Sequence, residues 1–387
     1  MSRLAIVLSH PTQYYSPWFR WLGTHTRLDF RVFYLWDFGV TTQRDPQFGT
    51  SFRWDVDLLS GYDYEFVPNA ARDPGTHHFG GLHNPELGER LRAWHPEAIL
   101  LFGYSFRTHL GLIRHPPAPL IFRGDSHLIG HSPSWLKRFA LRRLYARFAA
   151  VTYVGAANRD YFRAFGVPDS KLHFAPHCVD ADRFFRSPGC IAAAARLREE
   201  LDLGGRKVIL FAGKMLPAKQ PGALLEAFLE LAPADYALVF VGDGPERAAL
   251  ETRAAQQPDS IVRFLPFANQ SEMPSRYALA NLFVLPSRGL YETWGLAVNE
   301  AMHLGVPCLV SDRVGCQRDL VTDGETGWVF SATDPIALRD ALARAVEALR
   351  DDPTELRLHI AARIGGYTYA QASSGLQAAL DQAVATS

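Results

Sequence analysis

Two glutamates at the junction of a loop and a helix have the chemistry to recognise a ligand that carries hydroxyl groups. Glu292 precedes the expected helix and Glu300 lies two turns into it. The free backbone amides of Gly295, Leu296 and Ala297 would point out of the helix N-terminus and form an anion site. Carboxylates repel phosphate but accept strong hydrogen bonds from a vicinal diol. The pattern favours a ligand that joins phosphate to ribose or another sugar, over a surface helix with two solvated glutamates.

Two lysines in a second loop are suited to binding a diphosphate. Lys214 and Lys219 follow the apolar run 207–212, a predicted strand that Gly213 ends tightly. Two ammonium groups five residues apart can converge on a diphosphate and neutralise the charge that grows as a leaving group departs. Lysine occurs only five times in the chain, so this pair favours a binding role over a solvated basic loop.

The elements around the glutamates form one βαβ unit of a parallel sheet. Apolar run 282–285 predicts a buried strand, and a Gly-rich polar loop follows it. Helical character extends over 296–304, where Gly305 and Pro307 form a typical helix stop. Run 308–311 predicts the next strand. Both glutamates would thus lie at one edge of the sheet.

The same stretch resembles a known family, the family-4 retaining glycosyltransferases of GT-B fold. The matching motifs are Pro286-Ser287, Glu292-x-x-Gly295, Glu300-Ala-Met, Gly305-x-Pro307 and Gly315. The resemblance is distinct over about 207–330 and fainter before it. It implies that Glu292 contacts the donor sugar, that Glu300 contacts the ribose of the nucleotide, and that the anomeric configuration is retained.

The resemblance implies an α/β fold with two doubly wound Rossmann-like domains that face a central cleft. We expect an acceptor-binding domain at 1–186, a linker at 187–205 and a nucleotide-sugar-binding domain at 206–366. The C-terminal helix, within 367–387, is expected to cross back to the first domain.

Further donor contacts follow from the resemblance. Gly242 opens a turn that is similar to the family's Gly-x-Gly-Pro, and Phe267 falls where the family holds the base, largely through backbone. Lys214 and Lys219 stand near the family's usual Arg and Lys, although Gln220-Pro221 replaces the usual Gly.

Three features of the first half leave alternatives open. His127 follows a predicted strand where the family's histidine contacts the donor sugar, but a loop histidine is often a plain surface residue. Loop 10–14 replaces the family's Gly-rich loop, and it either addresses a substrate or is a packed turn. Helix 133–148 is basic and amphipathic; it either makes a weak peripheral membrane contact or, as its spacing favours, packs one apolar stripe on the sheet.

Segment 37–73 is long, aromatic and irregular, which is typical of functional or mobile loops.

Composition excludes several classes of partner. Lys+Arg and Asp+Glu balance at 40 each, which gives no support for nucleic-acid binding. The four cysteines show no metal-ligand spacing and are expected to be free thiols. No apolar run reaches the ~20 residues of a membrane span, so a cytoplasmic protein is expected.

The sequence therefore predicts a hexosyltransferase-like enzyme that moves a sugar from a nucleoside-diphospho-sugar to a hydroxyl of a glycan, a lipid-linked sugar or a small molecule. UDP is expected from family frequency alone. Lys214, Lys219 and the helix amides would stabilise the leaving group without a metal ion. The alternatives are an epimerase or phosphorylase on the same fold, or a non-catalytic nucleotide-sugar-binding subunit. The acceptor and the oligomeric state are left open.

Overall fold

The computed structural model describes residues 3–40, 43–44, 51–289, 292–351 and 353–386. They form two compact units, which are described separately. The first unit contains the described residues up to His177 together with those from Tyr369 onward. The second unit is Cys178–Thr368.

Short apolar runs form the strands, and amphipathic segments form the helices between them. The strands are β1 (Arg3–Leu8), β2 (Asp29–Tyr34), β3 (Gln43–Arg44), β4 (Ser51–Phe52), β5 (Asp63–Phe66), β6 (Ala98–Phe102), β7 (Leu120–Arg123), β8 (Ala150–Tyr153), β9 (Leu172–Phe174), β10 (Lys207–Ala212), β11 (Tyr236–Val241), β12 (Val262–Leu265), β13 (Leu282–Leu285), β14 (Cys308–Ser311) and β15 (Gly327–Phe330). The helices are α1 (Tyr15–His25), α2 (Leu87–Trp94), α3 (Arg107–Arg114), α4 (Trp135–Tyr145), α5 (Ala156–Ala164), α6 (Pro188–Glu200), α7 (Pro221–Leu231), α8 (Arg247–Ala255), α9 (Met273–Leu279), α10 (Leu296–His303), α11 (Gln317–Leu320), α12 (Ala337–Ala348), α13 (Thr354–Ile364) and α14 (Tyr369–Ala385).

The second unit is a doubly wound parallel sheet. Its strands lie in the order β12-β11-β10-β13-β14-β15. The order reverses between β10 and β13, which pair at Ile209–Leu282 and Leu210–Phe283. Ligands of open α/β sheets bind at the carboxyl ends of the strands beside such a switch point. The loops after β10 and β13 therefore form the first place to search for a site.

The first unit follows the same plan. Its sheet runs β5-β2-β1-β6-β7-β8-β9, and all of these neighbours are parallel. Strand residues such as Ile6, Val32 and Leu100 are completely buried, as expected when helices cover both faces. The predicted α/β fold with two Rossmann-like domains is confirmed.

The described part of segment 37–73 contains three strands that the prediction of an irregular segment missed: β3 and β4, which form an antiparallel pair, and β5. Residues Asp63–Phe66 form β5, which pairs in parallel with β2 from Arg31–Asp63 to Tyr34–Phe66. Only Phe66 and Glu65 of this edge strand are even half-buried, so it lacks the apolar run that marks the inner strands. Part of the segment, including 45–50, lies outside the described residues.

Helix α4 corrects the expectation of a single core-facing stripe. Leu141 and Tyr145 are buried, but Trp135 is 74%, Leu136 59% and Phe139 54% exposed. At about 100° per residue, the first pair and the exposed trio lie on nearly opposite sides of the helix. The helix therefore has two apolar faces, and one of them is uncovered in this unit. None of the helices in the described part of the chain has the length and hydropathy of a membrane span.

The predicted linker and C-terminal helix both belong to packed structure. Interval 187–205 consists largely of α6, which packs against α9 within the second unit. Helix α14 packs on β8 and β9 of the first unit, where a Cβ at Gly375 would lie 1.9 Å from the carbonyl oxygen of Phe174. Trp18 Nε1 of α1 donates to Ser373 Oγ of α14 over 3.0 Å.

Candidate active site

The loops after β10 and β13 are joined directly at the switch point. The backbone amide of Arg288 donates to the carbonyl oxygen of Ala218 over 2.9 Å. Ala218 lies in the 3-10 turn Pro217–Lys219, which presents Lys219 towards the loop after β13. The chain thus fixes the lysine loop and the first glutamate loop against each other through backbone, independently of any ligand.

The ammonium of Lys219 donates to Glu292 Oε2. Ser287 Oγ donates to the same carboxylate oxygen over 2.9 Å. The side chains of Lys219 and Glu292 are 29% and 13% exposed, so water reaches the pair from one side only. An ammonium has three N–H donors, so Lys219 keeps donors for a ligand beside its contact with Glu292.

A second carboxylate, Glu300, lies in the second turn of α10 and is buried. Glu300 is 3% exposed, and its Oε2 accepts from the hydroxyl of Tyr277 on α9 over 2.7 Å. A buried carboxylate needs such donors because an uncompensated charge is costly in the interior. Tyr277 was not predicted as a site residue. No sequence pattern marks it, since it lies on a different helix, 23 residues from Glu300.

The start of α10 requires glycine at two positions. Gly295 has φ +98° and ψ 57°, and a Cβ there would lie 2.8 Å from Val314 Cγ1. A Cβ on Gly315 would lie 1.8 Å from the carbonyl oxygen of Thr293. The amide of Gly315 also donates to the Glu292 carbonyl over 3.1 Å. This close packing sets the path of the chain into α10, whose first residues are Leu296 and Ala297.

Beside β10, glycines bring the loops after β10 and β11 close together. A Cβ on Gly242 would lie 2.1 Å from the carbonyl oxygen of Gly213. Lys214 follows Gly213 and is half-buried. The amide of Met215 donates to the carbonyl of Asp243 over 2.8 Å. The loop that carries both predicted lysines is thus held from two sides.

Phe267 and His127 complete the predicted set, in different units. Phe267 is half-buried and follows β12, at the same carboxyl edge as the lysine loop. His127 is half-buried in the first unit, after β7, and its Nδ1 accepts from the amide of Ile129 over 3.2 Å. The structure therefore gathers the predicted second-domain residues along one sheet edge and assigns His127 to the other unit.

Loop 10–14 of the first unit contains a neutral histidine in an aromatic surround. The rings of Trp36 and Phe38 lie 5.8 and 5.4 Å from the ring of His10, both edge-on. Burial lowers the pKa of His10 to about 4. The imidazole is therefore uncharged at neutral pH. It packs against aromatic rings and does not offer a cation for phosphate.

The cysteines near the site are not nucleophiles. Cys308 and Cys316 are completely buried, and Cys316 Sγ lies 3.9 Å from the carbonyl oxygen of Gly295. Burial raises the pKa of both thiols well above the ordinary value. Thiolate is the reactive form, so these groups are inert packing residues.

Within the described ranges, one group of three metal-ligating side chains lies close together in the first unit: Asp73, His77 and His78, all exposed. His77 Nε2 lies 3.0 Å from Asp73 Oδ2. None of these three residues was predicted as a site residue.

The chain is similar to known glycosyltransferases in sequence and in fold. Residues 194–363 match the family described as glycosyl transferases group 1. A GDP-mannose-dependent alpha-(1-6)-phosphatidylinositol monomannoside mannosyltransferase from Mycolicibacterium smegmatis is 34% identical over 238 residues, which cover 58% of this chain and 60% of that protein. Alpha-D-kanosaminyltransferase from Streptomyces kanamyceticus is 33% identical over 231 residues, covering 59% and 56%. The chain thus spans about 60% of the length of these curated relatives.

Solved structures of similar fold cover the chain from end to end. Anabaena HepE in complex with UDP and glucose matches with a TM-score of 0.67 at 19% identity, covering 100% of this chain and 99% of that one. Sucrose-phosphate synthase from Thermosynechococcus elongatus matches with a TM-score of 0.73 at 19% identity, covering 100% of both. At this identity the likeness shows the fold alone, which is the GT-B architecture. The chain thus has the GT-B fold, and its residues 194–363 are similar to the glycosyl transferases group 1 family.

Proposed function

We propose that the protein is a retaining glycosyltransferase that moves a sugar from a nucleoside-diphospho-sugar to an acceptor hydroxyl. The observation that carries the proposal is the contact of Lys219 with Glu292 at the switch point of the second sheet, beside the glycine-led start of α10. A cation, a hydroxyl-binding carboxylate and free helix amides within one sheet edge suit a ligand that has both a diphosphate and a sugar.

In the proposed reaction, the bond between the anomeric carbon and the diphosphate oxygen breaks, and the nucleoside diphosphate leaves with the electron pair. The acceptor oxygen bonds to the anomeric carbon on the same face, and its proton passes to a phosphate oxygen of the donor. Lys214, Lys219 and the amides that follow Gly295 stabilise the departing charge, so no metal ion is needed for the reaction.

The Lys219–Glu292 pair has a specific role in this scheme. Glu292 alone would repel a diphosphate at close range. Because Lys219 keeps two further N–H donors, it can neutralise Glu292 and donate to a phosphate oxygen at once. Glu292 then accepts hydrogen bonds from the hydroxyls of the donor sugar, while Glu300 binds the ribose. His127 is proposed to contact a sugar hydroxyl near the reacting carbon.

GDP-mannose and UDP-glucose are the first donors to test. Sequence similarity supports GDP-mannose, because the relative from Mycolicibacterium smegmatis is GDP-mannose-dependent. Structural similarity supports UDP-glucose, because the Anabaena structure contains UDP and glucose. The sequence relative is the more similar, so GDP-mannose has priority over the UDP donor that family frequency favours.

We also propose that a lipid-linked acceptor is reached through α4, which would lie on an anionic membrane surface. Between 133 and 148 the chain has five basic residues and no acidic one. Trp135, Leu136 and Phe139 are exposed next to these charges, and Arg143 stacks over Phe139 at 4.6 Å. Exposed aromatics flanked by cations are the composition of an interfacial helix.

A thermal-shift screen of sugar nucleotides, followed by an assay of nucleoside diphosphate release, tests the proposal. A donor at 100 times its dissociation constant should stabilise the protein by about 2.7 kcal/mol. Lys214→Ala should remove the shift, and Lys137→Ala, on α4, should keep it. A transferase also hydrolyses its donor slowly in water, whereas a pure binder releases no diphosphate and an epimerase returns an isomeric sugar nucleotide. A shift that survives Lys214→Ala would refute the diphosphate assignment.

A further inference from the structure

The first unit contains a groove between α2 and α3 that the proposed function does not use. Its volume is about 330 Å³, near the lower end of small-molecule pockets. Leu87 and Leu112 form part of its floor, and both belong to the core of the unit. The groove therefore rests on the core of the unit and is a formed feature of the fold.

Four basic side chains line the groove, without an acidic residue beside them in the lining. Arg92, Arg107, His83 and His115 all line it, and no lining residue is Asp or Glu. Among the described residues, neither arginine side chain makes an ion pair or a side-chain hydrogen bond. This contrasts with Arg90 on the same helix, which pairs with Glu65 and Glu86. A concave surface of one charge sign concentrates the field and attracts ions of the opposite sign.

Two helical glycines keep the groove open. Gly88 of α2 and Gly111 of α3 both line it. Neither has a positive φ, and a Cβ on Gly111 would have nothing within 4 Å. Glycine inside a helix costs about 0.5–1 kcal/mol relative to alanine. Backbone geometry does not require glycine at either position. What the two glycines provide is the absence of a side chain, which leaves the groove open.

The polar groups at the base of the groove already form hydrogen bonds within the protein, which limits the kinds of ligand that the groove can bind. Asn84 Nδ2 donates to the carbonyls of Leu35 and Val67, and Thr108 Oγ1 donates to Asn84 Oδ1 over 2.9 Å. The groove thus offers few free acceptors but many N–H donors. Guanidinium groups bind phosphate oxygens in paired hydrogen bonds.

We propose that this groove binds a phosphate ester of headgroup size through Arg92 and Arg107, with His83 and His115 as further donors. The groove belongs to the first unit, and the proposal does not depend on the proposed function. Its ligand is either a free phosphorylated small molecule or the headgroup of a phospholipid, and both present the same phosphate chemistry.

Calorimetric titration of the full chain with glycerol 3-phosphate, combined with vesicle sedimentation, tests the proposal. The vesicles contain phosphatidic acid or, at equal charge, phosphatidylglycerol. We expect Arg92→Gln/Arg107→Gln to weaken binding of the phosphate ester at least tenfold. Gly111→Leu, which fills the groove and keeps every charge, should do the same. Arg114→Gln removes an exposed arginine of α3 outside the groove and should change binding less than twofold.

The two sources give different results. Saturable binding of glycerol 3-phosphate that the double variant loses supports a free ligand. A preference for phosphatidic acid over phosphatidylglycerol that the double variant loses, without binding of the free ester, supports a lipid headgroup. Binding that is equal in wild type, Arg92→Gln/Arg107→Gln and Gly111→Leu overturns the proposal, as does the absence of binding in both assays.

Discussion

The ammonium of Lys219 contacts the carboxylate of Glu292, from a loop 73 residues earlier in the chain. The two residues were expected to share a site but to address different parts of the donor. Their contact links the two tasks, because a diphosphate that approaches Lys219 also changes the surroundings of Glu292.

Substitutions of the two partners should therefore have different effects. In Lys219→Ala, the diphosphate loses a charge-assisted hydrogen bond of about 1.5–3 kcal/mol, so nucleoside diphosphate affinity should fall about 10- to 100-fold. In Glu292→Gln, Lys219 is released for the diphosphate, so affinity should stay within about threefold while the transfer rate falls at least tenfold. Calorimetry with the nucleoside diphosphate and steady-state kinetics measure these effects. If Lys219→Ala and Glu292→Gln weaken binding of the nucleoside diphosphate equally, the ion pair only stabilises the loops that carry it and does not bind the donor.

The contact between Tyr277 and Glu300 predicts how the ribose is recognised. If Glu300 binds the ribose hydroxyls, wild type should bind a 2′,3′-dideoxynucleoside diphosphate about 10- to 100-fold more weakly than the normal nucleotide. In Glu300→Ala the two nucleotides should bind alike. Tyr277→Phe removes the hydroxyl that orients Glu300 and should reduce the discrimination. Calorimetric titration with both nucleotides gives the ratio.

Tyr236→Phe is the matched control for this experiment. Its hydroxyl is also buried and donates to the carbonyl of Val346 over 3.0 Å, away from the candidate site. It should lower stability without changing the discrimination between the two nucleotides. A wild type that binds both nucleotides equally would exclude Glu300 as the ribose ligand.

The backbone at Gly295 predicts a strong effect of a single methyl group. Gly295→Ala places a Cβ at φ +98° and 2.8 Å from Val314 Cγ1. Such strain costs about 1–3 kcal/mol or displaces the start of α10, and in both cases stabilisation by the donor should decrease. Gly205→Ala is the control, because that exposed glycine has nothing within 4 Å of its Cβ position. Melting curves with and without donor decide the matter, and a variant that melts and responds like wild type contradicts the argument.

Much of the fold was readable from the sequence because the inner strands are uninterrupted apolar runs. Strands β10 and β14 were predicted with the bounds that they have, 207–212 and 308–311. Glycine and proline mark their ends. Strand β5 was missed because an edge strand needs no such run, and Asp63–Phe66 is mostly exposed or half-buried.

The sequence predicted which loops and helix carry the candidate site, but not the contacts between its side chains. Motifs that are local in sequence place Glu292 and Gly295 at a loop-to-helix junction. The pairing of Lys219 with Glu292 depends on the switch point between β10 and β13, which no local pattern encodes. Tyr277 was missed for the same reason. The sequence analysis predicted a single apolar stripe on α4 because it considered the spacing of the apolar residues and not the angle at which each one lies around the helix axis.

The exposed face of α4 should govern binding to anionic membranes. Trp135→Ser/Phe139→Ser removes two aromatics that are 74% and 54% exposed. Burial of such side chains is worth about 1.5–3 kcal/mol each, so partitioning onto phosphatidylglycerol vesicles should fall at least tenfold. Binding of the wild type should weaken at high salt. Leu358→Ser, which alters a 65% exposed leucine on α13, is the control. Sedimentation that is unaffected by the aromatic pair would exclude this face.

Buried His109 predicts acid sensitivity of the first unit. It is 1% exposed, neither ring nitrogen has a hydrogen-bond partner within the described residues, and burial lowers its pKa to about 4. The ordinary value is about 6.5. Between these values the unfolded chain binds a proton that the folded chain does not, so the free energy of unfolding falls as the pH falls. At pH 5 the loss amounts to about 2 kcal/mol.

His109→Leu should remove this dependence, because leucine does not titrate. The drop in unfolding free energy from pH 7 to pH 5, measured by urea denaturation, should be about 2 kcal/mol smaller in the variant than in wild type. His359→Leu, at an exposed position on α13, should retain the full drop. If His109→Leu loses as much stability as wild type over this interval, the buried imidazole takes up its proton in the folded state and the assigned neutral form is wrong.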